Sequence, residues 1–287
     1  MDLVHLIRLY QNETIPMGNV GLAVTGTWTR IANMRPDILT TSSNCLILHC
    51  TIQEWTTSGD AVAKTRSGQE MSHAAYVFDA YGTLFDVHAA VRRYAGDVGL
   101  DSVLFSDVWR SKQLEYSWTR ALMGSYQDFW KLTEQALDYA FWRVPSVNRK
   151  LRDRLLEAYW KLDCYPEVPS VLKGLKASGA RIAILSNGSP AMLAAAVRNS
   201  ALDMMIDDIF SVDEIRTFKT APSVYDLVTT NYRLYPEAVS FQSSNRWDIA
   251  GATKFGFRTV WINRTGAPDE YSDLAPSLIL PSLNGLA

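Results

Sequence analysis

Four short apolar runs constrain this chain more than any other feature: Ala75 to Phe78, Ala180 to Ser186, Ala238 to Gln242 and Arg258 to Ile262. Each is too short for a buried helix and reads as a strand covered on both faces. Helical segments lie among them, at Val168 to Ala177, Pro190 to Arg198, Pro222 to Tyr232 and Trp247 to Phe255. Strands alternating with helices of this length predict an α/β fold, a mostly parallel sheet with helices on both faces. In such sheets the ligand crevice lies beyond the carboxyl ends of the strands. Asp79, Ser186 and Ser243 each fall just past such an end.

The rhythm stops between His88 and Pro166. There Leu104, Val108, Leu114, Trp118 and Leu122 recur at spacings that suit an amphipathic helix. Phe129, Leu132, Ala136 and Tyr139 to Ala140 suggest a second, and Leu151 to Leu162 a third. A helical subdomain inserted there can close over the crevice. The expected division is a core of residues 71–87 and 167–287 with a helical cap of residues 88–166. Residues 1–70 are rich in Thr, Ser and Asn, show no sustained period, and lack the basic and apolar pattern of a secretory signal. They read as a leader, either disordered or upstream sequence outside the native fold, with a small extra domain as the alternative.

Composition narrows the function. A formal net charge of -2 argues against nucleic-acid or anionic-membrane partners. No apolar stretch approaches the ~20 residues that span a bilayer. Cys45, Cys50 and Cys164 are too few and scattered for a disulfide framework, which suits a reducing cytoplasm. His49 and Cys50 lie near Cys45, but a zinc site needs further ligands, and chance explains the cluster better.

"FDAYGTLFDV", Phe78 to Val87, places Asp79 at a strand end before a turn through Gly82. Held by backbone N–H groups of that turn and oriented by Thr83, such a carboxylate is a suitable nucleophile. Ser186 and Asn187 precede a helix start at Pro190, where unpaired N–H groups favour anions and Ser189 suits the N-cap.

Together with "WRSKQLEYSWTRALM", "LSNGSP", "SSNRWD" and "WINRTG", this segment resembles the type II 2-haloacid dehalogenases of the haloacid dehalogenase superfamily, over residues 75 to about 270. The resemblance implies a Rossmann-like core with a helical cap, a homodimer, and hydrolysis of (S)-2-haloacids to (R)-2-hydroxy acids without cofactor. Phosphatases of the superfamily carry a second aspartate two residues after the first, to protonate a leaving alkoxide; here that position is Tyr81. A halide departs without a proton, so Asp79 alone suffices. The acidic residue that helps those phosphatases hold Mg²⁺ is also missing, since Ser243, Ser244 and Asn245 are neutral, which predicts a metal-free site.

Further roles come from the resemblance. Lys219 sits near Asp79 and Asp248, and Arg110 reaches from the cap to the halogen. Ser186 holds the substrate carboxylate, and Asn187 either that carboxylate or the departing halide. Tyr81, Leu114, Phe129 and Trp247 wall the alkyl group. Tyr225 and Ser243 belong to the substrate region, and Asn245, Asp248 and Lys219 assist water in opening the ester. Three residues depart from the pattern: Thr220 stands where proline is usual, Gln242 puts an amide in a buried strand, and Arg246, replacing a small residue, could narrow the pocket or compete for Asp248. The rivals are a Mg²⁺-dependent phosphohydrolase or phosphonate hydrolase of the same superfamily, and a non-catalytic small-acid-binding protein.

Overall fold

The computed structural model describes residues 74–286 and two earlier strands, β1 (Leu39–Ser42) and β2 (Cys45–Leu48). The chain divides into two compact units, Met1–Gly68 and Gln69–Ala287. In the first, β1 and β2 pair antiparallel with Ser42 opposite Cys45. The sequence reading gave that stretch no strand and so missed the pair. The rest of the expected leader, with His49 and Cys50, lies outside the described residues.

The second unit is built on a six-stranded, all-parallel sheet of β3 (Ala75–Phe78), β4 (Ile182–Ser186), β5 (Asp208–Ser211), β6 (Val239–Ser243), β7 (Arg258–Ile262) and β8 (Leu278–Leu280). Its order is β5-β4-β3-β6-β7-β8, the α/β Rossmann-like arrangement. The apolar runs became the four central strands. Both edge strands went unseen: β5 opens on Asp208, and β8 leaves Leu278 and Ile279 half-exposed, so neither shows a buried run. Phe78 pairs with both Ile184 and Gln242, which aligns the carboxyl ends of β3, β4 and β6.

Helices α6 (Val168–Ala177), α7 (Pro190–Asn199), α8 (Pro222–Tyr232) and α9 (Arg246–Phe255) follow the sequence reading closely. Ser189, expected to cap α7, makes no side-chain capping bond. Between β3 and β4 come α1 (Ala89–Arg93), α2 (Ala95–Val98), α3 (Ser102–Leu122), α4 (Phe129–Arg143) and α5 (Arg152–Trp160). On α3 the apolar stripe read from the sequence faces inward only in part: Val108 packs against the core and Leu114 is half-buried. Leu104 and Leu122 are 51% and 88% exposed, whereas Phe105, Trp109, Gln113 and Ser117 are buried. Polar groups suit that inner face because they are hydrogen-bonded: Gln113 Nε2 donates to Thr133 Oγ1 (2.6 Å) and Ser117 Oγ to Leu114 O (2.7 Å). Among the described residues, no helix is long and apolar enough to cross a membrane.

Candidate active site

Asp79 leaves the end of β3 with its N–H donated to Gln242 O across the sheet, at 2.9 Å. Gly82 takes φ +98°, a region open to glycine, and lets the chain turn back at once. Several of the turn's N–H groups are occupied within it, Leu84 and Phe85 donating to Ala80 O and Gly82 to Phe85 O. They do not hold the Asp79 carboxylate, as the sequence reading expected; side chains do. Thr83 Oγ1 (2.9 Å) and Asn245 Nδ2 (2.8 Å) donate to Oδ2, and Lys219 Nζ (3.0 Å) donates to Oδ1. Ser244 N–H in turn donates to Thr83 Oγ1 (2.8 Å), so the threonine's own proton is directed at Asp79.

Lys219 also donates to Asp248 Oδ2 at 2.7 Å. Burial alone would lower the Lys219 pKa, but Asp248 and Asp79 overcome this and hold it above its ordinary value. Asp248, in the first turn of α9, is fully buried, and burial pushes its carboxyl up to about 6 against the pull of Lys219. Tyr225 Oη donates to Asp248 Oδ1 at 2.9 Å. A Cβ at Gly251 would lie 2.5 Å from that Oη, so only glycine lets the tyrosine reach the acid.

Arg110 comes from α3. Its Nη1 donates to Gln113 Oε1 (2.8 Å), and its Nη2 to Tyr81 O (3.0 Å) and Asn245 Oδ1 (3.4 Å). Asn245 Nδ2 also reaches Tyr81 O (3.2 Å), so the main chain of residue 81 gathers both donors beside Asp79. Gln113 escaped the sequence reading. Its place three residues after Arg110, on the same helical face, was the available signal.

A small cavity of about 10 Å³ adjoins these groups, room for roughly one water. It is lined by Asp79, Tyr81, Arg110, Leu114, Phe129, Ser186, Asn187, Asn245 and Trp247. The Tyr81 ring stacks on Tyr159 with centroids 5.9 Å apart, and burial drives its phenol pKa well above the ordinary value. Ser186 Oγ accepts from Gly188 N (3.1 Å), while Asn187 Oδ1 accepts the backbone N–H of Lys219 (3.0 Å).

Some expected site residues stand elsewhere. Ser243 is buried behind the cavity, its Oγ accepting from Asn245 N (3.1 Å), and Tyr225 supports Asp248. Neither lines the cavity. Thr83, Lys219 and Asp248 likewise back Asp79 from outside the lining. Arg246 turns away from Asp248 and pairs with Asp269 at 2.7 Å, so it does not compete for the acid. Gln242 is fully buried; Nε2 donates to Ser240 Oγ (2.5 Å) while Oε1 has no protein partner. Among the described residues no three His, Cys, Asp or Glu side chains converge as a metal-ligand set.

A parallel α/β sheet with a buried, ammonium-paired aspartate beyond its central strand suits a hydrolase that uses a carboxylate nucleophile. The chain belongs to the haloacid dehalogenase-like hydrolase family, whose model matches residues 73–256. It is 49% identical over 203 residues to (S)-2-haloacid dehalogenase 4A of Burkholderia cepacia, covering 70% of this chain and 87% of that protein. A crystal structure of a dehalogenase superposes with TM-score 0.74 at 45% identity, covering 76% of this chain and 97% of the other. An L-2-haloacid dehalogenase from Xanthobacter autotrophicus, with chloropropionic acid covalently bound, gives TM-score 0.66 at 36% identity, covering 75% and 96%.

Proposed function

We propose that this chain hydrolyses (S)-2-haloacids to (R)-2-hydroxy acids with inversion, through an ester on Asp79. The observation that carries this reading is the Asp79 carboxylate itself, buried, held by three side chains and facing a cavity lined by Arg110 and apolar rings. An Asp79 oxygen attacks C2 from the side opposite the halogen; the C–O bond forms as the carbon–halogen bond breaks, and the halide leaves with the bonding pair. Arg110, with Asn187, stabilises the departing anion. Ser186 and Asn187 take the substrate carboxylate, while Tyr81, Leu114, Phe129 and Trp247 surround its alkyl group. Water then attacks Cγ of the ester, its proton drawn toward Asp248 with Asn245 and Lys219 assisting; the bond from Cγ to the substrate oxygen breaks, the hydroxy acid leaves carrying that proton, and Asp79 is regenerated.

Residues 88–166 act as a cap over a core of residues 71–87 and 167–287. The exposed apolar side chains Leu104, Leu122 and Met123 on and after α3 support pairing of two copies, which sedimentation should register as a dimer. Cys164, a free cysteine, is compatible with a cytoplasmic setting. Lys219 already pairs both buried acids, which favours chemistry without a metal over the Mg²⁺-dependent rival.

Chloride release from 2-chloropropionate in EDTA tests the reaction. Single turnovers in ¹⁸O water should place the label in the Asp79 carboxylate. Label appearing in the hydroxy acid alone, or turnover of phosphate esters restored by Mg²⁺, would overturn the reading.

A further inference from the structure

Arg246 is a buried charge that the proposed chemistry leaves unused. It stands between Asn245, which holds Asp79, and Trp247, which lines the cavity. Its guanidinium is gripped by the segment after β7: Nε donates to Asp269 Oδ1 (2.7 Å), and Nη2 to Tyr271 O (2.7 Å) and Leu274 O (3.0 Å). The rings of Trp261 and Tyr271 lie 5.6 and 5.3 Å from it. Asp269 Oδ1 also accepts Tyr271 N–H (2.9 Å), so the segment folds around the cation.

Tyr271 and Leu274 then form part of a second space, an outer cleft of about 610 Å³ shared with Trp118, Trp247 and Lys254. Trp247 thus lines both the cleft and the reaction cavity, and Trp118 of α3 packs edge-on against it with centroids 5.4 Å apart. The inner cavity holds about one water, so any 2-haloacid must displace a wall. The wall toward the cleft is Trp247.

We infer that Arg246 is a positioning residue for Trp247. By tying the start of α9 to the Asp269–Leu274 segment, it limits how far the indole yields and so which 2-substituents the reaction cavity accepts. This rests on the dehalogenase reading.

The test uses the full chain and its variants R246A, R246K and D269N. Halide release from 2-chloropropionate and 2-bromohexanoate gives kcat and KM for each, with thermal melts alongside. In R246A, KM for 2-chloropropionate should rise roughly tenfold with kcat within about twofold, and the preference for the shorter acid should shrink roughly tenfold. R246K, a point donor facing three acceptors, should recover only part of this. D269N alters a surface carboxylate, so it keeps the test open if R246A fails to fold, and it should shift KM and selectivity in the same direction, less far. An unchanged KM and selectivity in the folded variants, with only the active fraction reduced, would show Arg246 to be a structural tie and overturn the inference. Silence of the wild type toward both acids would instead defeat the dehalogenase reading, and this inference with it.

Discussion

Lys219 Nζ lies 3.0 Å from Asp79 Oδ1, and both side chains are withdrawn from solvent. The same ammonium serves Asp248 at 2.7 Å, so one cation balances two buried acids. Removing it leaves two unpaired carboxylates in a low dielectric. Lys219→Met should therefore cost about 3–5 kcal/mol of stability and abolish halide release. Lys219→Met combined with Asp248→Asn should recover much of the stability but none of the activity. Urea unfolding of the three proteins checks this; equal midpoints for both variants would contradict the pairing.

Asp248 gives the site a pH signature. Its folded pKa of about 6 exceeds the ordinary 3.8 of an unfolded aspartate, because burial disfavours the charge. The stability this group contributes is full below about pH 3.8 and is lost as pH rises through about 6. Activity runs the other way, since the ionised form is the one that holds Lys219 and draws the water proton. The kcat profile should show an acid limb near pH 6, and Asp248→Asn should flatten the corresponding stability change. An acid limb below pH 4 would break the assignment.

Arg110 bridges Gln113, Tyr81 O and Asn245 with one planar fork. A lysine keeps the charge but cannot reach all three acceptors. Arg110→Lys should lower kcat by about 10²–10³ while leaving the melting temperature within a few degrees. Chloride-release kinetics beside a thermal melt separate this from simple unfolding.

Gln242 is a stability liability in the middle of the sheet. Its Oε1 is buried without a protein partner, and its amide serves only Ser240. Replacing both, as Gln242→Met with Ser240→Ala, should raise stability by about 1 kcal/mol at unchanged kcat. A lower urea midpoint would indicate that an ordered water satisfies that oxygen.

The parts legible in the sequence were those with a local signal. The central strands announced themselves as apolar runs, and α8 began at its proline. The inner face of α3 was legible only in part because Gln113 and Ser117 are buried through partners on α4 and on their own helix, which no hydropathy pattern encodes. The site divides similarly. Asp79 could be placed from its strand and turn alone, but Lys219, Asp248 and Arg110 come from distant segments, and only a family resemblance joined them. The retreat of Ser243 and Tyr225 behind the cavity is set by register and by the clearance at Gly251, both properties of the assembled fold.

Residue 81 divides its labour. Its carbonyl oxygen gathers Arg110 and Asn245, while its ring meets the cavity. Exchanging one aromatic for another there would alter the wall without loosening the anchor. Selectivity can thus be retuned at this position while the catalytic donors stay moored.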